Sequence, residues 1–284
     1  MTGTWRSDDT PVLPSPRGTQ WLRVAVKGAA LALVIFGGLV LLLTVRLLER
    51  PFCGQSRPVT PWITQAVCSA FFLILGMRHQ IQGLPLRGAG AVVANHSSWL
   101  DIFALNARKR VYFVSKAEVA GWPGIGWLAR ATGTVFITRR GRDAAQQKSL
   151  FSARLAAGHK LLFFPEGTST DGRRVLPFKS TLFQAFFDES RSAELHIQPV
   201  TLVYRAPSGV DPRFYGWWGD MEFAEHLLMV LAAPRHGSVT VIYHTPLRVA
   251  DFPDRKALAA EAEAQVRRAM TAQMGPPGGE PSAS

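Results

Sequence analysis

The sequence has very few cysteines, only Cys53 and Cys68 among 284 residues. Two cysteines cannot build a disulfide framework and their spacing matches no metal motif, so the sequence favours a reducing compartment and no metal site. It also lacks a glycine-rich dinucleotide or phosphate-binding loop, a Gly-x-Ser-x-Gly nucleophile turn and an internal repeat. These absences argue against a nucleotide-binding enzyme, a serine esterase and a zinc module.

Acidic residues are scarce beside basic ones. The chain has 32 lysines and arginines against 20 aspartates and glutamates, which gives a formal net charge of +12. Such a charge attracts either nucleic acid or an anionic lipid surface. No basic run alternates with aromatic residues in an RNA-binding pattern. Because the chain also carries a long apolar segment, we expect an anionic membrane as a partner and no nucleic acid.

This apolar segment, residues 28–45, contains no charged side chain. As a helix rising about 1.5 Å per residue, it nearly crosses a hydrocarbon core of about 30 Å. Residues 47–51 offer no small-residue cleavage site, so we predict a retained transmembrane anchor over residues 21–50 instead of a signal peptide. Basic residues flank both of its ends, which leaves its orientation open.

A second apolar stretch, residues 61–76, has Gln65 and Ser69 interleaved among its apolar side chains. The pattern predicts an amphipathic helix in the membrane interface, within a segment 51–78, and an ordinary core helix is the alternative. The catalytic domain is expected over residues 79–274. The polar composition of residues 1–20 and 275–284 predicts disorder at both ends.

The remaining chain alternates short apolar runs with helical patterns, which is typical of βαβ units. The sequence therefore predicts an α/β fold with a mostly parallel sheet covered by helices. Strands are predicted at residues 91–94, 111–115, 134–138, 160–164, 196–204 and 238–244. Helices are predicted at residues 143–157, 179–187 and 254–274.

His96 and Asp101 form the first candidate catalytic pair, in the segment Asn-His-Ser-Ser-Trp-Leu-Asp. His96 directly follows a predicted buried strand, at the sheet edge where α/β proteins bind ligands. With His96 in the loop and Asp101 in the first turn of the next helix, the carboxylate can turn back to the imidazole and orient a general base. The alternative is that Asp101 only caps that helix.

The segment Phe-Pro-Glu-Gly-Thr-Ser, residues 164–169, follows another predicted strand and emerges at the same edge. Gly167 permits a tight turn whose amides can face an anion. Glu166 can accept a hydrogen bond from a substrate hydroxyl and Thr168 can donate one. An ordinary surface turn is the alternative.

Two basic residues follow further strands and are candidate phosphate ligands. Arg139 follows the predicted strand 134–138, and a guanidinium group binds phosphate through two parallel hydrogen bonds. Lys116, directly after strand 111–115, is a second candidate. Contacts with solvent or anionic lipid are the alternative for the neighbouring arginines, Arg140 and Arg142.

Four sequence blocks in this order resemble the 1-acyl-sn-glycerol-3-phosphate acyltransferase family, over roughly residues 75–205. The blocks are residues 95–101, 133–139, 164–169 and 198–200. The resemblance implies that His96 is the general base and Asp101 its orienting group. It also implies that Arg139, Glu166, Gly167 and Thr168 bind the glycerol phosphate, and that Pro199 lines the acyl side.

The resemblance further implies the reaction: transfer of a fatty acyl chain from acyl-CoA or acyl-carrier protein to a lysolipid hydroxyl, without a cofactor. The expected acceptor is lysophosphatidic acid, which would give phosphatidic acid in phospholipid biosynthesis. Residues 211–221 resemble a bacterial subgroup that includes lyso-ornithine lipid O-acyltransferases, and lyso-ornithine lipid is the alternative acceptor. The expected location is the bacterial inner membrane, with the catalytic domain facing the cytoplasm.

Overall fold

The computed structural model describes residues 4–9, 13–88, 90–122, 124–138, 144–187 and 194–274. Its helices are α1 (Gln20–Cys53), α2 (Thr60–Leu75), α3 (Leu100–Asn106), α4 (Ile125–Thr132), α5 (Ala144–Ala156), α6 (Gln184–Phe187), α7 (Phe223–Ala232) and α8 (Arg255–Met274). Its strands are β1 (Arg78–Gln82), β2 (Gly90–Ala94), β3 (Tyr112–Lys116), β4 (Val135–Ile137), β5 (Leu161–Phe163), β6 (His196–Arg205), β7 (Ser238–Tyr243) and β8 (Leu247–Arg248).

The strands form one sheet in the order β1-β7-β6-β2-β5-β3-β4, and the short β8 pairs with β6. From β6 to β4 all neighbours are parallel, and β7 and β8 run antiparallel to β6. The predicted α/β fold with a mostly parallel sheet is therefore confirmed. Because β2 lies beside β5, the loops after these two strands leave the same edge together, and these are the loops that carry His96 and Glu166.

The core lies on both faces of the sheet, and β2 shows how the sequence produces it. All five of its residues are buried. Since side chains alternate along a strand, Val92 and Ala94 join the cluster that includes α2, α3 and α7 residues, whereas Ala91 and Val93 join the cluster that includes α8 residues. Burial on both faces fixes the strand, and with it the position at which His96 emerges.

Helix α1 is long and apolar enough to cross a membrane, as the sequence predicted. One stripe of the helix, which includes Val24, Leu31 and Leu42, is buried. The remaining circumference is largely exposed, with Leu33 at 76% and Val40 at 65%. The apolar stretch therefore contacts the protein along one side only.

Both ends of α1 lie against the α/β domain. Near its start, Lys27 Nζ donates to the carbonyl of Ala233, 3.0 Å away, just beyond α7. Just after its end, Arg57 donates to the carbonyl of Ala131 at 2.8 Å in α4. The helix thus runs alongside the domain instead of projecting from it.

Helix α2 has one face in the core and one exposed face. Phe71, Phe72 and Leu75 are buried, and Phe71 stacks on Phe103 of α3 with 4.0 Å between ring centroids. Leu73, by contrast, is 82% exposed. The helix therefore combines the two alternatives that the sequence left open, a core helix and an amphipathic helix with an accessible apolar face.

Several local features differ from the sequence-based expectations. Residues 179–187, predicted as one helix, form a 3-10 turn at Ser180–Phe183 followed by the single turn α6. Residues 4–9, predicted to be disordered, contact the catalytic domain, for example through an ion pair between Arg6 and Asp220 at 2.8 Å. The predicted C-terminal tail, residues 275–284, lies outside the described residues.

Candidate active site

His96 and Asp101 meet at the carboxyl end of β2. His96 lies in the loop after the strand, Asp101 lies in the first turn of α3, and Nδ1 of His96 is 2.8 Å from Oδ2 of Asp101. The sequence predicted this contact from a histidine in the loop and an aspartate in the first turn of the next helix. Because a carboxylate only accepts hydrogen bonds, the contact selects the tautomer of the neutral imidazole in which Nδ1 carries the proton and Nε2 holds the lone pair.

Asp101 is fully buried, and four donors surround its carboxylate. Oδ2 accepts from the backbone N–H groups of Ser97 at 2.8 Å and Ser98 at 3.1 Å, in addition to His96. Oδ1 accepts from the hydroxyl of Tyr204 at 2.8 Å. The aspartate therefore does both things that the sequence suggested: it pairs with backbone groups at the helix start and it holds the imidazole.

The His96 ring is held on one side and accessible on the other. It stacks on Phe164, with 4.0 Å between ring centroids and 11° between the planes. Its side chain is 22% exposed, and none of the described residues hydrogen-bonds to Nε2. This geometry suits a general base, because a fixed ring presents its lone pair to an incoming hydroxyl.

Glu166 lies directly beneath this loop and is only 2% exposed. Its Oε1 accepts from the backbone N–H of His96 and its Oε2 from that of Leu176, both at 2.8 Å. Burial raises the pKa of the Glu166 carboxyl to about 8, although the two backbone donors lower it. The sequence predicted a contact with the acceptor, but in the structure both oxygens of the carboxyl group accept from the protein backbone.

Gly167 and Thr168 complete the turn after β5. Gly167 adopts φ +75°, a left-handed conformation that other residues rarely adopt, so the turn favours glycine. Its amide donates to the carbonyl of Phe164 at 3.1 Å and thereby closes the turn. The Thr168 hydroxyl accepts from the backbone N–H of Trp5 at 3.3 Å, which brings the N-terminal segment to the site.

The other predicted substrate-binding residues are distributed differently. Lys116 ends β3 at the same sheet edge and is exposed. Pro199 is buried inside β6, where it is in register with Val93 and its carbonyl accepts from the N–H of His244 at 3.0 Å. Arg139 lies outside the described residues.

Sequence reasoning missed two residues that support the site. Tyr204 belongs to a predicted strand, but nothing in the sequence indicated that β6 would bring its hydroxyl to Asp101. Asn95 bridges to β6: its side chain accepts from the N–H of Leu202 at 2.7 Å and donates to the carbonyl of Leu202 at 3.0 Å. A buried asparagine directly before His96 was the available signal, because a buried amide needs fixed partners.

Among the described residues, no group of three or more His, Cys, Asp or Glu side chains could hold a metal ion. The chemistry on offer is that of an oriented histidine at a sheet edge. It can remove a proton from a hydroxyl that a bound substrate supplies.

The sequence is similar to a family of known proteins. The sequence model of the family named Acyltransferase matches residues 78–203. The lyso-ornithine lipid O-acyltransferase of Rhodobacter capsulatus is 56% identical over 266 residues, which cover 94% of this chain and 96% of that protein. The chain belongs to the acyltransferase family.

Two more distant similarities are to 1-acyl-sn-glycerol-3-phosphate acyltransferases. The 1-acyl-sn-glycerol-3-phosphate acyltransferase of Neisseria gonorrhoeae is 42% identical over 98 residues, which cover 34% of this chain and 38% of that one. The crystal structure of the 1-acyl-sn-glycerophosphate acyltransferase of Thermotoga maritima has a TM-score of 0.60 at 20% identity, covering 89% of this chain and 96% of that one. At this identity the similarity shows a shared fold.

Proposed function

We propose that the protein transfers a fatty acyl chain from a thioester to the free hydroxyl of a lysolipid, with His96 as the general base. The observation that carries this proposal is the contact of 2.8 Å between His96 Nδ1 and the buried Asp101, which leaves Nε2 available on a partly exposed ring. The acyl donor in the proposal is acyl-CoA or acyl-carrier protein. No protein cofactor is needed, because the substrate itself supplies the nucleophile.

The steps follow from the chemistry of a thioester. Nε2 of His96 takes the hydroxyl proton as the lysolipid oxygen attacks the thioester carbonyl carbon, and Asp101 stabilises the resulting imidazolium. The tetrahedral intermediate then expels the thiolate, the carbon–sulfur bond breaks, and the imidazolium returns the proton to sulfur. The products are an ester and a thiol, and His96 ends the cycle neutral.

The preferred acceptor in this proposal is lyso-ornithine lipid. The support is the similarity to the Rhodobacter protein, which extends over 94% of the chain and therefore includes the regions outside the shared motifs. Lysophosphatidic acid, the acceptor expected from the sequence, is the second candidate, and the Neisseria relative supports it over 34% of the chain.

The membrane arrangement belongs to the same proposal. Since both ends of α1 contact the catalytic domain, we propose a one-leaflet arrangement in place of the transmembrane anchor that the sequence predicted. In it, α1 and the exposed face of α2 lie in one leaflet of the bacterial inner membrane, on the cytoplasmic side. Exposed apolar residues such as Leu33 and Val40 would contact the acyl chains. A lysolipid could then reach His96 from the same leaflet.

A parallel acceptor assay tests the function. The purified protein is given labelled acyl-CoA or acyl-carrier protein with lyso-ornithine lipid or lysophosphatidic acid, and kcat/KM is measured for each pair. We expect acylation of lyso-ornithine lipid at least about tenfold more efficient than that of lysophosphatidic acid. The reverse preference would favour the second candidate, and no acylation of either lipid would contradict the proposed function.

A further inference from the structure

A groove beside the catalytic loop is formed by three segments that are distant in the sequence. Residues 5–9, 171–174 and 211–213 line a cavity of about 470 Å³. This volume lies within the range of about 300–1,000 Å³ that is typical of small-molecule sites. The N-terminal segment supplies one wall, so the groove exists only because residues before α1 return to the catalytic domain.

The residues that line the groove include a neighbour of a residue that is hydrogen-bonded to the backbone of the catalytic histidine. Asp171, which is 2% exposed, lines the groove. The preceding residue, Thr170, donates its N–H to the carbonyl of His96 at 3.0 Å. On the opposite wall, the N–H of Trp5 donates to the Thr168 hydroxyl at 3.3 Å. A head group in the groove would therefore lie next to the loop that carries the general base.

The charges in the groove balance, although the whole protein carries a net charge of +12. Four arginines line it, Arg6, Arg173, Arg174 and Arg213. The aspartates that line it are also four. The head group of lysophosphatidic acid carries only negative charge, and an excess of cations would favour its binding. A balanced groove instead suits a zwitterion.

Ion pairs within the structure account for most of these charges. Arg174 pairs with Asp171 at 2.9 Å, and its guanidinium lies 4.8 Å from the centre of the Trp5 ring. Arg213 pairs with Asp9 at 2.7 Å and with Asp211 at 2.9 Å. These contacts hold the walls of the groove together. They leave little charge of either sign for a ligand.

Two charged residues of the groove have no ion pair within the described part of the chain, Arg173 and Asp8. Arg6 also lines the groove, but it forms an ion pair of 2.8 Å with Asp220, which lies outside the groove. The charges that remain for a ligand are thus one guanidinium and one carboxylate. This pair complements a ligand with one carboxylate and one ammonium group.

We propose that this groove binds the amino-acid head group of the acceptor, with Arg173 on its carboxylate and Asp8 on its ammonium group. An ornithine head group joined to the lipid through its α-nitrogen carries one such carboxylate and one such amine at neutral pH. The assignment rests on the proposed function and adds the groove that selects the acceptor. It also gives the N-terminal segment a role in specificity, because Asp8 belongs to that segment.

The test compares three acceptors: lyso-ornithine lipid, its carboxyl methyl ester and its N-acetylated side-chain amine. Arg173→Gln should raise KM for the intact lipid about tenfold. It should leave KM for the methyl ester unchanged, because the ester has no carboxylate for Arg173 to bind. Asp8→Asn should likewise raise KM for the intact lipid about tenfold and leave KM for the N-acetyl derivative unchanged, because that derivative has no ammonium group for Asp8 to bind. Arg173→Lys, which keeps the charge, should restore part of the affinity.

Arg235→Gln is the matched control, because Arg235 is exposed and does not line the groove. Its KM for all three acceptors should equal that of the wild type. Unchanged KM in Arg173→Gln and Asp8→Asn, while the wild type acylates lyso-ornithine lipid, would overturn the groove assignment alone. Equal losses on all three acceptors would overturn it as well. A wild type that acylates no lysolipid would instead contradict the proposed function.

Discussion

The hydroxyl of Tyr204 donates a hydrogen bond to Oδ1 of Asp101 at 2.8 Å, while Oδ2 of the same carboxylate binds His96. The tyrosine lies in β6 and the aspartate in α3, and both are buried. Burial and the neighbouring carboxylate raise the pKa of the Tyr204 hydroxyl, so it remains a donor. The carboxylate is thus fixed from two sides, which fixes the direction of the imidazole in turn.

Tyr204→Phe should lower kcat about 3- to 30-fold at nearly unchanged KM. The substitution leaves one oxygen of a buried carboxylate without its hydroxyl donor and loosens the support of His96. Steady-state kinetics with a lysolipid acceptor measure the effect. Tyr243→Phe is the matched control, since Tyr243 is also buried but its hydroxyl has no hydrogen-bond partner among the described residues. Equal kcat values for the two variants would show that the Tyr204 hydroxyl does not support the His96–Asp101 pair.

Asp101→Asn should lower kcat by about 10²- to 10⁴-fold. An amide cannot serve every donor around this position: the Ser97 and Ser98 amides and Nδ1–H all need an acceptor. The imidazole would lose its orientation and the stabilisation of its protonated form. Asp251→Asn, in an exposed ion pair with Arg248, is the control for loss of one charge and should keep wild-type activity. A kcat within twofold of the wild type for Asp101→Asn would contradict the proposed role.

Glu166→Gln should lower kcat with a smaller effect on KM for the acceptor. Both oxygens of the carboxyl group have lone pairs that can accept, protonated or not, whereas glutamine has one acceptor oxygen. One of the N–H groups of His96 and Leu176 therefore loses its partner. The loss displaces the catalytic loop and should cost about 1–3 kcal/mol of stability. A rise in KM alone would instead indicate a direct contact between Glu166 and the acceptor, as the sequence predicted.

The same residue gives stability a defined pH dependence. Burial raises the pKa of Glu166 from 4.5 to about 8, so the folded state keeps a proton that the unfolded state has lost between these values. The contribution of Glu166 to the free energy of unfolding therefore falls as the pH rises through this window. Glu166→Gln should flatten the decline.

Denaturant titrations of the wild type and of Glu166→Gln between about pH 7.5 and 8.5 measure this effect, because every other titrating group contributes equally to the two proteins. Burial lowers the pKa of His159, His226 and His236 to about 4 from an ordinary value of 6.5, so their effect on stability lies at lower pH. A decline in stability that is no steeper in the wild type than in Glu166→Gln would contradict the protonated Glu166.

Single cysteines on α1 should reveal the proposed one-leaflet arrangement. In a background without Cys53 and Cys68, cysteines replacing Thr19 and Gly54 at the two ends of α1 should both react with a membrane-impermeant maleimide from the cytoplasmic side only. A cysteine at Leu33, in the middle of the exposed face, should stay protected by lipid. Labelling of the two ends from opposite sides of the membrane would show that the helix spans it.

The sequence predicted those parts of the fold that depend on local pattern. The uninterrupted apolar run of β2 and the residues after it predicted the edge of the sheet, the start of α3 and the approach of Asp101 to His96. These features depend on residues a few positions apart. The predicted α/β class follows from the same alternation of strands and helices.

What the sequence did not predict depends on contacts between distant residues. Glu166 lies in a segment, residues 164–169, whose composition is typical of a ligand-binding turn. Its carboxyl group nevertheless points inward, because it accepts from two backbone amides, those of His96 and Leu176. Residues 4–9 are polar and predicted disorder, yet Trp5 and Arg6 find partners more than 160 residues away. Pairings of this kind depend on the folded topology, which local composition does not encode.

The most direct test of the general base is a single-turnover measurement on His96→Ala. Enzyme in excess is mixed with labelled thioester and lyso-ornithine lipid in vesicles, and the rate of ester formation is compared with that of His196→Ala, a histidine at the opposite end of the neighbouring strand β6. We expect a loss of at least about 100-fold for His96→Ala with unchanged vesicle binding, and wild-type rates for His196→Ala. An ester-forming rate in His96→Ala close to that of the wild type would contradict the general-base role of His96.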